Sequence, residues 1–199
     1  MRFDSGGTAQ GRSIRAFVCA ALRDDGIDAI AEFIGGLKKY TGFKWVARDT
    51  LHITLRFLGE IKPELVMKLD TNLSRIGSVR PFRVALSGVG AFPDLSNPRA
   101  LWIGIGDGGE EMRKLASAVD KAAVASGLEG ERRAFHPHLT LARARTDSRG
   151  GGHARMPEGL AEALKSCPLP SWTCDGFTLM RSELSPSGPT YTPIATFPL

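Results

Sequence analysis

Apolar residues recur along the chain with two different periods, and the first forty residues show both. Residues 15–21 are almost uninterruptedly apolar and predict a buried strand. A helix is predicted over residues 24–40, with Asp24 or Asp25 as its N-cap. The apolar stripe of this helix consists of Ile27, Ile30, Ile34 and Leu37. The chain is therefore expected to begin with a strand followed by an amphipathic helix.

The same two periods predict the central elements. A strand is expected over residues 51–58, and Pro63 suits the first turn of the helix that follows. Two further strands, near 82–86 and 101–105, flank a turn-rich loop. Gly127 favours the end of a third helix. The apolar stripes of these two helices are Leu65, Leu69, Leu73 and Ile76 in one and Met112, Leu115, Val119 and Ala122 in the other.

The remaining chain predicts a strand near residues 138–141, a short helix over 159–165 and two closing strands, near 173–182 and 191–197. Residues 144–157 are basic, glycine-rich and without periodicity, which predicts a mobile surface loop. Strands and helices recur in a related order in both halves. We therefore expect an α+β fold of two similar lobes, each a mostly antiparallel sheet with helices on its outside, facing each other across a central cleft.

Two segments repeat the pattern His-x-Thr-Leu inside predicted strands, one starting at His52 and the other at His138. Because side chains alternate along a strand, His52 shares a face with Thr54, and His138 shares a face with Thr140. The residues between them are apolar and face the other way. One such pair is more often structural than catalytic. The repetition indicates a cleft in which two imidazoles oppose each other.

Two imidazoles suit a reaction that needs a general base and a general acid near neutral pH, because the ordinary pKa of histidine is about 6.5. Phosphodiester cleavage is such a reaction, and threonine hydroxyls can donate hydrogen bonds to the non-bridging oxygens of phosphate. Arg143 is a candidate cation, but regular alternation directs it away from Thr140, so a bend or bulge is needed to turn it inward. The residues alone permit either histidine to take either role.

Composition narrows the class of protein further. Of the 199 residues, 42% are hydrophobic and 24% charged, and no apolar run approaches the roughly 18 residues that span a bilayer. Cys19, Cys167 and Cys174 have no C-x-x-C spacing, so we expect small buried hydrophobes. The formal charge of +5 permits a nucleic-acid partner. We expect a flexible tail over residues 1–13, one domain over residues 14–199, a cytoplasmic location, and a monomer without an obligate protein partner.

Several segments together resemble a known family. HITLRFLG from His52 and FHPHLTLAR from Phe135 are similar to the two signatures of the 2H phosphoesterase superfamily. The match is specifically to its RNA 2′,3′-cyclic phosphodiesterase branch, also called 2′-5′ RNA ligase-like. RAFVCAAL resembles the first strand of that branch, and GVGAFPDLSNPRALWIGI resembles its central segment. LMRSELSPSGPTYTPIATFPL resembles its closing strands, with a Ser-x5-Gly-x2-Tyr spacing from Ser182 through Gly188 to Tyr191.

The resemblance implies hydrolysis of a terminal 2′,3′-cyclic phosphate of RNA to a 2′-phosphate, without metal or cofactor, and a possible reverse 2′-5′ ligation. It implies that His52 is the general acid for the leaving oxygen and His138 the general base for water. Thr54 and Thr140 would hold the phosphate, with Arg143 assisting. The division of roles between the histidines depends on the resemblance alone.

Three other interpretations stay open on the sequence. His52, His136 and His138 are a possible zinc set, although Pro137 disturbs the strand between the last two. Residues 104–109 formally match G-x-G-x-x-G, but no acidic residue ends a second parallel strand, so a plain glycine-rich loop is preferred. The third alternative is a non-catalytic RNA-binding module. Its stacking residues would be Trp45, Phe57, Trp102 and Phe135, of which Phe57 and Trp102 are better explained as core.

Overall fold

The computed structural model describes residues 12–20, 22–145, 156–186 and 188–199. Most of the predicted tail and of the predicted mobile loop over 144–157 therefore lies outside the described residues. The strands are β1 Ile14–Ala20, β2 Phe43–Trp45, β3 Ile53–Ile61, β4 Phe82–Phe92, β5 Ala100–Ile105, β6 His138–Ala144, β7 Ser171–Cys174, β8 Gly176–Ser185 and β9 Gly188–Pro198. The helices are α1 Asp24–Leu37, α2 Pro63–Leu73, α3 Gly109–Ala125 and α4 Leu160–Lys165, and a 3₁₀ turn spans Arg48–Thr50. Among the described helices, none has both the length and the apolarity to cross a membrane.

The strands form two antiparallel sheets. One sheet has four strands in the order β3-β1-β8-β9, and the other has five in the order β2-β6-β5-β4-β7. The two His-x-Thr segments lie on β3 and β6, and hence in different sheets. Edge strand β9 accommodates three prolines, which edge strands tolerate because they need fewer backbone donors. The predicted α+β architecture of two lobes is confirmed.

Helices pack on the sheets, and one of them contacts the sheet of the other half of the chain. Helix α3 follows β5 of the five-stranded sheet, but it contacts β3 of the four-stranded sheet and also helix α2. The predicted stripe of α3 is buried, as are Leu69 and Leu73 of α2. Burying one aliphatic side chain contributes roughly 1.5–3 kcal/mol, so these stripes hold the helices in place. Helix α4 contacts β4.

Some boundaries differ from the predictions for local reasons. Pro63 does lie in the first turn of α2. The predicted Asp N-cap of α1 is wrong: Arg23 is the N-cap and makes no side-chain capping hydrogen bond, and Asp24 is already helical. A carboxylate in the first turn still interacts favourably with the helix dipole. The single strand predicted over 173–182 is two strands, β7 and β8, and the three-residue β2 is too short to show alternation.

The G-x-G-x-x-G segment has a packing role in this fold. Strand β5 pairs antiparallel with both β4 and β6, so the parallel βαβ unit of a dinucleotide site is absent. A Cβ at Gly104 would lie 2.8 Å from the Ser87 carbonyl oxygen, and one at Gly108 would collide with the Arg83 carbonyl oxygen. Gly108 also has a φ of +81°, which favours glycine. These glycines let β4 and the β5–α3 turn approach closely.

Candidate active site

A cleft of about 260 Å³ lies between the two sheets. Strand β3 contributes Thr54 to its wall, β6 contributes Thr140 and Arg143, and His52 lies just before β3. The other lining residues are Lys44, Trp45, Val46, Ala47, Asp49, Thr50, Phe57, Gly188, Pro189 and Tyr191. Four of the five residues predicted for the site therefore line one cleft.

A bulge in β6 determines where Arg143 points. In the pairing of β5 with β6, Trp102 lies opposite Thr140 and Leu101 opposite Ala142, so Leu141 is an extra, unpaired residue. The extra residue shifts the alternation by one position, and His138, Thr140 and Arg143 consequently share a face. The sequence predicts that Arg143 can face inward only with a bend or bulge, and this bulge provides it. His138, the fifth predicted residue, lies before the bulge and shares the face of Thr140 by regular alternation.

Strand β3 carries the same bulge at the equivalent residue. Cys19 of β1 lies opposite Thr54 and Val18 opposite Arg56, which leaves Leu55 unpaired. Arg56 is thereby turned to the outer face, where its Nε lies 2.8 Å from Asp120 of α3. The next residue, Phe57, is turned into the cleft. Each His-x-Thr-Leu segment thus ends in a bulged leucine, and the fifth residue after each histidine, Phe57 or Arg143, faces the cleft.

The His52 ring is held by hydrogen bonds at both nitrogens. Nδ1 lies 2.7 Å from the Thr50 carbonyl oxygen, which can only accept, so Nδ1 carries the proton in the neutral ring. Nε2 then has a free lone pair and lies 3.0 Å from the Thr54 hydroxyl, from which it accepts. The 3₁₀ turn before β3 supplies the anchoring carbonyl. His52 is therefore oriented as a base through Nε2, or as an acid there once it is protonated.

His138 has the same anchor. Its Nδ1 lies 2.7 Å from the carbonyl oxygen of His136, again two residues earlier in the chain. Nδ1 therefore donates to a carbonyl in both histidines, and in both rings Nε2 is the nitrogen left for proton transfer. The His136 side chain itself is exposed in the segment before β6. Within the described ranges, no three His, Cys, Asp or Glu side chains are grouped as a metal site, and the His52, His136 and His138 set is not assembled.

Aromatic rings pack against both imidazoles. The Phe17 and Tyr191 rings lie with their centroids 4.8 and 5.2 Å from that of His52. Phe92 and Trp102 lie 5.1 and 6.2 Å from His138. The sequence predicted no site role for Phe17 or Phe92. In the structure, Cys19 of β1 pairs with Thr54, and Phe17 lies on the same face of β1 as Cys19 because side chains alternate along a strand.

Burial lowers the pKa of both histidines, because the charged imidazole loses solvation. The hydrogen bond to the Thr50 carbonyl partly offsets this shift in His52, and the His136 carbonyl does so in His138. The positive charge of Arg143 lowers the pKa of both rings further, and that of His138 also lowers the pKa of His52. The positive charge of Arg143 therefore disfavours the protonated form of both imidazoles.

The other aromatic candidates occupy different positions. Phe57 is 52% exposed and lines the cleft, so its interpretation as a core residue is wrong; the β3 bulge explains the difference. Trp102 is partly buried, its ring fitting over Gly90, where a Cβ would collide with it. Trp45 is partly buried and donates its indole N–H to the Tyr40 carbonyl. Phe135 packs against the core.

All three cysteines are free and buried, as predicted. Cys19 lies opposite Thr54 in the sheet. Burial raises the pKa of its thiol to about 12. It is therefore protonated at neutral pH and is no nucleophile.

Comparison with known proteins identifies the family. A model described as the 2′-5′ RNA ligase superfamily matches residues 27–186. The chain belongs to this superfamily. The matched region contains both His-x-Thr segments and Arg143.

Named relatives cover most of the chain. An RNA 2′,3′-cyclic phosphodiesterase of Aeropyrum pernix is 33% identical over 150 residues, covering 74% of this chain and 81% of that protein. One of Archaeoglobus fulgidus is 30% identical over 187 residues, covering 92% and 99%. Apo LigT of Escherichia coli is 26% identical with a TM-score of 0.74, covering 95% of this chain and 99% of its own. LigT has also been crystallised with 3′-AMP, at 26% identity and a TM-score of 0.74 over 94% and 98% of the two chains.

Proposed function

We propose that this protein is an RNA 2′,3′-cyclic phosphodiesterase, which hydrolyses a terminal cyclic phosphate to a 2′-phosphate without a metal ion. The observation that carries the proposal is the matched anchoring of His52 and His138. Each Nδ1 lies 2.7 Å from the carbonyl oxygen of the residue two positions earlier, so each ring offers Nε2 for proton transfer. The named relatives support the same activity.

The two imidazoles account for both proton transfers. Neutral Nε2 of His138 takes a proton from water as the water oxygen attacks phosphorus. The bond from phosphorus to the ribose 3′ oxygen breaks, and protonated Nε2 of His52 gives its proton to that oxygen. The product carries a 2′-phosphate and a free 3′ hydroxyl, and the histidines have exchanged protonation states. Solvent then restores both, and the assignment of acid to His52 and base to His138 follows the family resemblance.

The residues beside the histidines are suited to bind the phosphate. The Thr54 and Thr140 hydroxyls both line the cleft and are suited to donate to the non-bridging oxygens, where negative charge develops. The Thr54 proton is available for this when His52 is protonated, because Nε2 then no longer accepts it. Arg143, on the same face as Thr140, supplies a fixed positive charge. An anionic phosphate also favours the protonated form of a nearby histidine, which offsets the effect of burial on the general acid. The reverse reaction, 2′-5′ ligation, would use the same groups in opposite roles.

The test uses the full chain, excess EDTA and a short RNA ending in a 2′,3′-cyclic phosphate, with 2′- and 3′-phosphate products resolved. We expect a 2′-phosphate, and a fall in turnover of about 10²- to 10⁴-fold for His52→Ala or His138→Ala. The double variant should lose far less than the product of the two losses, because the residues act as a unit. His136→Ala, which keeps the anchoring carbonyl, is the matched control and should retain activity.

Each alternative has its own outcome. Activity that EDTA abolishes and zinc restores, with loss in His136→Ala, would support the three-histidine metal site. RNA binding without product would support a binding module. Wild-type turnover in either His52→Ala or His138→Ala would overturn the proposal.

A further inference from the structure

The cleft continues past the histidines to edge strand β2, where Lys44 lies directly opposite Arg143. Both side chains are exposed and both line the cleft. Like charges directly opposite each other weaken a sheet. In the described part of the chain, no ion pair involves either residue. Asp49 also lines the cleft, but it is not paired with Lys44. Two adjacent cations that have no acidic partner among the described residues are suited to bind anionic groups of a ligand.

Lys44 reaches across this end of the cleft. A Cβ built on Gly188, at the start of β9, would lie 3.7 Å from the Lys44 ammonium nitrogen. The side chain therefore extends from the five-stranded sheet to the four-stranded sheet. The ammonium group therefore lies at the β2 end of the cleft, next to the start of β9.

Arg143 and Lys44 lie at different distances from the reacting phosphate. Arg143 lines the cleft on the face that Thr140 also occupies, so we assign it to the reacting phosphate. Lys44 is one strand further out, and directly opposite residues have Cβ atoms about 4.5–5.5 Å apart. In an RNA chain, the anion nearest to the terminal cyclic phosphate is the phosphodiester on the 5′ side of the same nucleotide. A cyclic mononucleotide lacks this second phosphate.

We propose that Lys44 binds the phosphodiester 5′ of the terminal nucleotide, and that the enzyme therefore prefers RNA chains to 2′,3′-cyclic mononucleotides. The inference rests on the proposed function, because it locates a second phosphate relative to the reacting one. Lys44 is a substrate-binding residue and takes no part in proton transfer.

The test compares kcat/KM for a dinucleotide ending in a 2′,3′-cyclic phosphate with that for the matching cyclic mononucleotide. We expect the dinucleotide to be favoured by about tenfold, the effect of one charge-assisted hydrogen bond. Lys44→Gln should abolish most of this preference, because it lowers kcat/KM for the dinucleotide far more than for the mononucleotide, whereas Lys44→Arg should keep the preference. In Lys44→Gln, the slope of log KM against log salt concentration for the dinucleotide should also decrease by about 0.7. This is the change expected when one phosphate contact with a single strand is lost.

Lys68→Gln is the matched control, because Lys68 is exposed on α2 outside the cleft and its loss changes net charge equally. The inference is overturned if wild type treats both substrates alike, if Lys44→Gln lowers both rates equally, or if Lys68→Gln has the same effect. Failure of wild type on both substrates would instead overturn the proposed function, so the two failures are distinguishable.

Discussion

Phe57 and Arg143 hold equivalent positions in the two halves of the site. Each is the fifth residue after its histidine, and each is turned inward by a bulge at the intervening leucine. The site is symmetric in its His and Thr residues and asymmetric at this pair. Aromatic faces stack on nucleobases, and guanidinium groups bind phosphate oxygens. We infer that this asymmetry orients the substrate, with its terminal base toward Phe57 and its phosphate toward Arg143.

Replacing Phe57 should therefore weaken binding more than it slows chemistry. Stacking of a base on an aromatic ring contributes about 1–3 kcal/mol, so Phe57→Ala should raise KM by roughly 5- to 150-fold and leave kcat within about twofold. Phe57→Tyr keeps the ring and should behave like wild type. Steady-state kinetics on the cyclic-phosphate RNA give both constants. A fall in kcat at constant KM would show that Phe57 acts on the reacting groups instead.

Strand β5 is the element that holds the β6 part of the site in register. Gly104, Trp102 and Ala100 of β5 lie opposite His138, Thr140 and Arg143 respectively. The turn from β5 into α3 fixes the end of this strand against β4, and Gly108 permits the close approach. The stability of this turn and the position of His138 are therefore linked through β5.

Gly108→Ala should destabilise the fold through this turn. The residue needs a φ of +81° and has no room for a Cβ. Gly127→Ala is the matched control, because Gly127 has a φ of +105° but open space around it. Backbone strain alone costs about 1–3 kcal/mol, and overpacking adds about 1–3 kcal/mol. We expect the free energy of unfolding, measured in urea, to decrease by at least about 1 kcal/mol more for Gly108→Ala than for Gly127→Ala. Equal losses in the two variants would contradict the packing role of Gly108.

At the scale of the whole molecule, the site belongs to neither sheet alone. His52 and Thr54 come from the four-stranded side and His138, Thr140 and Arg143 from the five-stranded side. Burial between the sheets lowers the pKa of both imidazoles, and the charge of Arg143 lowers them further. The pH dependence of the reaction is therefore a property of the assembled cleft.

We predict a bell-shaped profile of kcat/KM against pH with its maximum below about 6.5, the ordinary pKa of histidine. One histidine must be neutral and the other protonated, and such a pair is most abundant at the mean of two pKa values that are both lowered in the free enzyme. Arg143→Gln removes a charge that disfavours both imidazolium forms, so it should move the maximum to higher pH while lowering the rate. A flat profile from pH 5 to 9 would mean that other groups carry the protons.

Much of this protein follows from local pattern. The helical stripes predict α1, α2 and α3, because apolar residues at 3.6-residue spacing must be buried on one face. The two His-x-Thr pairs follow from the alternation of side chains in a strand, and the resemblance of the surrounding segments to the 2H phosphoesterase signatures predicts the family. These features depend on residues close together in the chain, so they can be identified without knowing what packs against them.

The tertiary structure decided what depends on pairing between distant strands. The bulges at Leu55 and Leu141 appear only in the register with β1 and β5, and they turn Phe57 and Arg143 inward. Lys44 meets Arg143 because β2 pairs with β6, about a hundred residues further along the chain. Strand register reflects the packing of both faces of a sheet at once, and no periodicity along a single strand reports it.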